Sequence, residues 1–230
     1  EELDWDAYRE RYGNIQRLDR ILRAEGDDPD RYKLSKQADA VMLFYLFAPA
    51  DIRELFERLG YEYRPGTAAR NIAYYDQRTS HGSTLSFVTF AGVLARLDAE
   101  SSWERFLVAL KSDVEDIQGG TTREGIHMGV MSGTVDLMQR VYPGSDVRDG
   151  VLCFEPRLPP ALEQVAFRMQ FQRTPLQLTL DHERLAIAVG REGAGGPIRV
   201  GVGDDVRELC PGDTEEFELS SPVATGVGAE

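Results

Sequence analysis

In the first part of the chain, apolar residues recur at intervals of three and four. Leu18, Ile21 and Leu22 make one such stripe, closed by Gly26, which is the spacing of a single helix face. Residues 27–37, DDPDRYKLSKQ, read as a polar loop. They lead into 38–47, ADAVMLFYLF, which is apolar nearly all round and predicts a helix enclosed in a larger helical assembly. Pro49 ends that run, and 50–59 predicts another short helix closed by Gly60. Leu85, Val88, Val93, Leu94 and Leu97 predict a helix over 83–97. A further one is expected over 103–114, with Ser101 or Ser102 as its N-cap. The last, 126–141, carries Gly129, Ser132 and Gly133, small residues that permit close helix approach.

After Pro143-Gly144 the period changes to two. Val165, Phe167, Met169 and Phe171 alternate with polar residues, as do Leu176, Leu178 and Leu180, and then Leu185, Ile187 and Val189. This is the pattern of half-buried strands, separated by turn signals at Thr174-Pro175 and Asp181-His182. Val200, Val202 and Val206 continue it more weakly, and Phe217 and Leu219 suggest a last strand. The expected organisation is a helical domain over 1–145, a small antiparallel β-sandwich over 146–220, and a disordered tail over 221–230.

Composition narrows the partners. A formal net charge of −13 argues against nucleic acid and anionic membranes, which need a basic footprint. No run of about 20 apolar residues is present to span a bilayer, and no signal-peptide pattern opens the chain. Cys153 and Cys210, the two cysteines, are too few for a disulfide framework and lack metal-ligand spacing, so reduced thiols and a cytoplasmic location are expected. The first residue is Glu1, which reads as a piece of a longer chain.

Two stretches carry candidate chemistry. Residues 74–86 read YYDQRTSHGSTLS and residues 116–129 read DIQGGTTREGIHMG. Each joins small hydroxyl residues and glycines to one histidine, His81 or His127, and each feeds an apolar helical pattern. Hydroxyls, glycine amides and an imidazole at a helix start make an anion pocket. Lys36-Gln37 is a third polar cluster at a helix start. Taken singly, Lys36 reads more readily as a solvated helix-end charge and His127 also as a satisfied core histidine; the coincidence of three clusters is what points to a site. Thr122 reads as cradle hydroxyl or N-cap, Glu124 as a first-turn dipole partner, and His182 as a solvated turn residue.

Residues 36–47 (KQADAVMLFYLF), 78–86 (RTSHGSTLS) and 119–144 (GGTTREGIHMGVMSGTVDLMQRVYPG), followed by RDGVLCFEP at 148–156, resemble consecutive signature segments of glycoside hydrolase family 65. That family comprises inverting disaccharide phosphorylases acting on maltose, trehalose, kojibiose or nigerose, with a few hydrolases. HGSTLS and QGGTTREGIH are most similar to the trehalose phosphorylase-like branch. The resemblance implies an α+β multidomain chain: the C-terminal part of an (α/α)6 barrel followed by a β-sandwich. It implies inverting phosphorolysis of an α-linked glucose disaccharide to β-glucose 1-phosphate and glucose, with orthophosphate as co-substrate and no metal or organic cofactor.

By the same resemblance, Lys36 and Gln37 bind glucose, and His81, Gly82, Ser83 and His127 cradle phosphate. The family's general acid is a glutamate well upstream of the lysine–glutamine motif, so no catalytic residue is expected within these 230 residues. Missing N-terminal sequence is expected to complete the barrel, and the chain alone to be poorly stable and inactive. A homodimer is expected because many family members are dimers. The alternatives are a family hydrolase using water and a non-enzymatic carbohydrate-binding remnant.

Overall fold

The computed structural model describes residues 1–192 and 195–219; the tail expected at 221–230 lies outside the described residues. The chain divides between Thr134 and Val135 into two compact units.

The first unit is helical: α1 (Trp5–Tyr12), α2 (Leu18–Ala24), α3 (Met42–Leu46), α4 (Pro49–Arg58), α5 (Thr67–Asp76), α6 (Leu85–Leu94), α7 (Ala99–Lys111) and all but the end of α8 (Met128–Asp136), with short 3-10 turns at Pro29–Arg31 and Thr121–Glu124. α1 starts where Asp4 accepts the Ala7 N–H at 3.0 Å, an N-cap that replaces a missing intrahelical partner. The Leu18/Leu22 stripe of α2 is fully buried and packs with Leu3. α6 forms the centre of this unit, with every residue from Ser86 to Val93 buried. Ser102 on α7 donates its hydroxyl to the Ala91 carbonyl of α6 at 2.6 Å.

Two local expectations are corrected. The apolar run 38–47 gives only the five-residue α3, and Leu46 and Phe47 are 60% and 50% exposed. The helix buried all round is α6. The backbone of 35–38 is committed elsewhere: Ser35 pairs with Thr79, Lys36 O accepts from Gly82, and Ala38 N–H donates to Ser86 Oγ. These bonds hold 35–37 as extended chain just before the run, which turns at Ala38, whose carbonyl accepts from the Val41 and Met42 N–H groups, before α3 begins. The N-cap of α7 is Asp98, which accepts from both the backbone N–H and the hydroxyl of Ser101; neither serine is the cap.

The second unit continues from a π-helical turn, Leu137–Val141, into two four-stranded sheets. One has the order β1 (Ser145–Arg148), β2 (Val151–Phe154), β6 (Ile198–Val202), β7 (Asp205–Leu209). The other has the order β3 (Gln164–Phe171), β4 (Thr174–Asp181), β5 (Arg184–Val189), β8 (Thr214–Glu218). All pairings are antiparallel except β2 with β6, which is parallel. The hairpin joining β1 to β2 turns on Asp149 and Gly150, both at positive φ, as a two-residue turn matched to strand twist requires.

Alternation puts Leu176, Leu178 and Leu180 of β4 and Leu185, Ile187 and Val189 of β5 in the core, opposite Leu152, Phe154, Ile198, Val200 and Leu209 of the other sheet. The result is a β-sandwich. β3 alternates as expected, but Val165, Phe167 and Met169 are only half-buried.

Candidate functional site

The segment carrying Lys36 and the segment carrying His81 run side by side. A parallel bridge joins Ser35 to Thr79. Ser35 N–H donates to Arg78 O at 2.7 Å, Ser80 N–H to Ser35 O at 2.9 Å and Gly82 N–H to Lys36 O at 2.8 Å. Lys36, Gln37, His81, Gly82 and Ser83 are thereby brought together. Gly82 is buried, and a Cβ there would meet Lys36 Cγ at 2.8 Å and Gln16 O at 3.0 Å, so the close approach of these strands requires glycine. Arg17 donates to the Gly82 carbonyl at 3.0 Å, and Lys36 Nζ lies 3.6 Å from Asp19 Oδ2. Lys36 is exposed and Gln37 half-buried, its carbonyl accepting from Ser35 Oγ. Ser83 Oγ accepts the Leu85 N–H at 3.3 Å, so this hydroxyl already serves the first turn of α6.

His81 is half-buried at φ 56°. Its ring stacks on Phe87 with centroids 4.4 Å apart and meets Phe90 edge-on. Arg105 Nη1 lies 3.4 Å from His81 Nε2, while Nη2 of the same guanidinium reaches Asp76 at 3.1 Å. A guanidinium only donates, so Nε2 accepts and the proton sits on Nδ1, which is buried without a partner among the described residues. Burial, with the Arg105 and then Arg9 charges, pushes the His81 pKa down to about 3. The ring is therefore neutral, and it meets a ligand as a hydrogen-bonding group and not as a cation.

His127 has opposite company. Its Nδ1 is 2.5 Å from Asp113 Oδ1, and its backbone N–H donates to Asp113 Oδ2 at 2.9 Å. These bonds hold the Asp113 carboxyl below its ordinary range, the imidazole contact being the largest cause. Asp116 shapes the preceding loop by accepting from Gly120 N–H at 2.7 Å and Thr122 N–H at 3.3 Å. The Thr122 hydroxyl lies 3.1 Å from Asp116 Oδ1 and 3.2 Å from the Asp113 carbonyl. Gln118 Nε2 reaches the His81 carbonyl at 3.5 Å, and Asn14 holds Ile117 O at 3.0 Å. The His127 loop is thus tied to the His81 segment through Gln118. Glu124 is exposed in its 3-10 turn, and His182 is exposed in the turn between β4 and β5.

The profile of the glycosyl hydrolase family 65 central catalytic domain matches residues 1–136, and that of the family's C-terminal domain matches 146–209. The chain belongs to glycosyl hydrolase family 65. Among family 65 relatives, an uncharacterized glycosyl hydrolase of Mycobacterium tuberculosis is 47% identical over 95% of this chain and 16% of its own length. The trehalose 6-phosphate phosphorylase of Lactococcus lactis is 36% identical over 95% of this chain and 28% of its own. The chain therefore spans well under a third of the length of these relatives. A solved structure described as a putative kojibiose phosphorylase from the human microbiome superposes with a TM-score of 0.66, at 20% identity, over 82% of this chain and 24% of that one. It shares the fold. Among the described residues no helix is long and apolar enough to cross a membrane, and both cysteines are free thiols.

Residue types alone missed several groups of this candidate site: Arg17, Asp19, Asp76, Arg105 and Asp113. Each reaches its partner across a long sequence gap, and only Asp76 stands in one of the two candidate stretches, where nothing in the sequence pairs it with Arg105. Their only signal is being charged residues on otherwise apolar or loop-forming stretches.

Proposed function

We propose that the protein containing this chain cleaves an α-linked glucose disaccharide by inverting phosphorolysis, giving β-glucose 1-phosphate and glucose. In this reading Lys36 and Gln37 bind the glucose being cleaved, while His81, Gly82, Ser83 and His127 hold orthophosphate. The observation that carries it is the pairing of residues 35–37 with 78–82, closed by the 2.8 Å bond from Gly82 N–H to Lys36 O. That pairing sets Lys36 and Gln37 beside His81 and Gly82, which supports reading the two segments as parts of one site. Membership of family 65 and the phosphorylase names of relatives support the same chemistry.

The chemistry follows from charge. Protonation of the glycosidic oxygen by a carboxylic acid and attack by phosphate from the opposite face invert the anomeric centre. The acid belongs to sequence upstream of Lys36. This segment's task is to hold a doubly charged nucleophile in line, which lowers the entropic part of the barrier. What serves it is a pair of imidazoles whose orientations are fixed by Arg105 and Asp113.

Among disaccharides, one bearing a 6-phosphate enters the candidate set. The relative named for trehalose 6-phosphate matches 95% of the chain. The full-length protein, offered trehalose, trehalose 6-phosphate, kojibiose, nigerose and maltose, is expected to release glucose 1-phosphate only when orthophosphate is present. Release of free glucose at the same rate without phosphate would instead identify a hydrolase.

A further inference from the structure

Asp113 stands just beyond α7, outside but next to the stretch 116–129. Its carboxylate is 8% exposed, and it grips the 31% exposed His127 twice, at the ring and at the backbone. An ionised carboxylate has no proton to give. The proton between the two groups therefore belongs to Nδ1. In the neutral imidazole Nε2 is then a lone pair, and it has no partner among the described residues. A lone pair cannot hold a bare oxyanion. It can hold one that carries a hydroxyl. A fully deprotonated dianion at Nε2 would meet a lone pair backed by the Asp113 carboxylate, with no proton to share.

We propose that Asp113 is a positioning residue that fixes His127 in its Nδ1–H form, so that Nε2 accepts a hydrogen bond from the hydroxyl of hydrogenphosphate and the site admits phosphate in preference to sulfate. This rests on the reading of His127 as part of a phosphate cradle. Phosphate and arsenate keep a proton near neutral pH; sulfate has none. Size and charge are otherwise alike, so discrimination between them reports the acceptor and not the shape of the pocket.

The test uses the full-length protein at about pH 8. Phosphate and arsenate are expected to support turnover, and sulfate to compete at least about tenfold more weakly than phosphate binds. Asp113→Asn presents either an oxygen or an NH2 to Nδ1 and releases the tautomer. It is expected to raise the phosphate KM about tenfold, to change kcat by less than about threefold, and to shrink the disadvantage of sulfate to about threefold or less. In the unsubstituted protein, 15N shifts of the His127 ring should show the proton on Nδ1, with Nε2 responding to phosphate and not to sulfate.

Sulfate competing as well as phosphate, a proton found on Nε2, or a folded Asp113→Asn with an unchanged sulfate-to-phosphate ratio would each overturn the proposal. The first two need no variant, so a substitution that fails to fold leaves the question decidable. Turnover that ignores phosphate altogether would remove the cradle reading and this inference with it. Phosphate-dependent turnover without sulfate discrimination would remove the inference alone.

Discussion

His81 and His127 are set by opposite neighbours: a guanidinium at Nε2 of the first, a carboxylate at Nδ1 of the second. The first arrangement has a consequence for stability. His81 titrates near 3 when folded because burial and Arg105 oppose its charge, whereas an unfolded histidine titrates near about 6.5. Between those values the unfolded chain binds a proton that the folded chain refuses. Stability is therefore whole above about pH 6.5 and falls as pH drops toward about 3. Replacing His81 by Asn, which tolerates its positive φ, should reduce the loss between pH 7 and 4.5 by about 2 kcal/mol, read by urea unfolding at both values. At the neighbouring position, Gly82→Ala drives a Cβ to 2.8 Å from Lys36 Cγ and 3.0 Å from Gln16 O. Overpacking of this kind costs about 1–3 kcal/mol, measurable in the same unfolding experiment. The histidines, the glycine and Lys36 were legible as residue types. Arg105 and Asp113 were not, being 24 and 14 positions from the rings they orient, with no periodicity to betray them.

α6 shows what periodicity can and cannot tell. Its apolar stripe was visible as Leu85, Val88, Val93 and Leu94, yet Ser86, Thr89 and Gly92 are buried as well, so the helix is enclosed on every side. The more apolar run 38–47 looked like the better candidate for enclosure. It gives only the short α3 with Leu46 and Phe47 left exposed, and the bonds between 35–38 and 78–86 beside it are a tertiary pairing that no local pattern records. α5 went unseen for the reverse reason: Thr67–Asp76 has a single buried apolar residue, Ile72. Where α8 meets α6, Gly133 faces Val88, and a Cβ at 133 would fall 2.6 Å from Val88 Cγ1. Alanine gains about 1 kcal/mol of helix propensity over glycine, but the overlap costs about 1–3 kcal/mol. Gly133→Ala is thus expected to destabilise. Adding Val88→Ala should make the pair less damaging than the sum of the single changes, a coupling that a double-mutant cycle in urea measures.

Across the molecule, the change from a period near 3.6 to one of two told the helical unit from the sandwich, and the alternation in 176–180 and 185–189 gave the inward face of the second sheet. Leu178 is fully exposed to none of the solvent and sits mid-strand in that core. Leu178→Ala should cost about 2–5 kcal/mol, seen as faster hydrogen exchange of β4 and β5 amides. Strand order was beyond reach of the pattern, since alternation assigns a face and not a partner. The parallel joint of β2 with β6 bears on how the protein is made. β1 and β2 leave the ribosome as a bare hairpin, and Val151, Leu152 and Phe154 have no neighbour on their other edge until Ile198–Val202 follows. β3, β4 and β5 are adjacent in both sequence and sheet, so they can assemble as they emerge, whereas the first sheet must wait. Through that interval a nascent chain carries an unpaired apolar edge, and chaperones or a stalled neighbour on the same message would meet it there first.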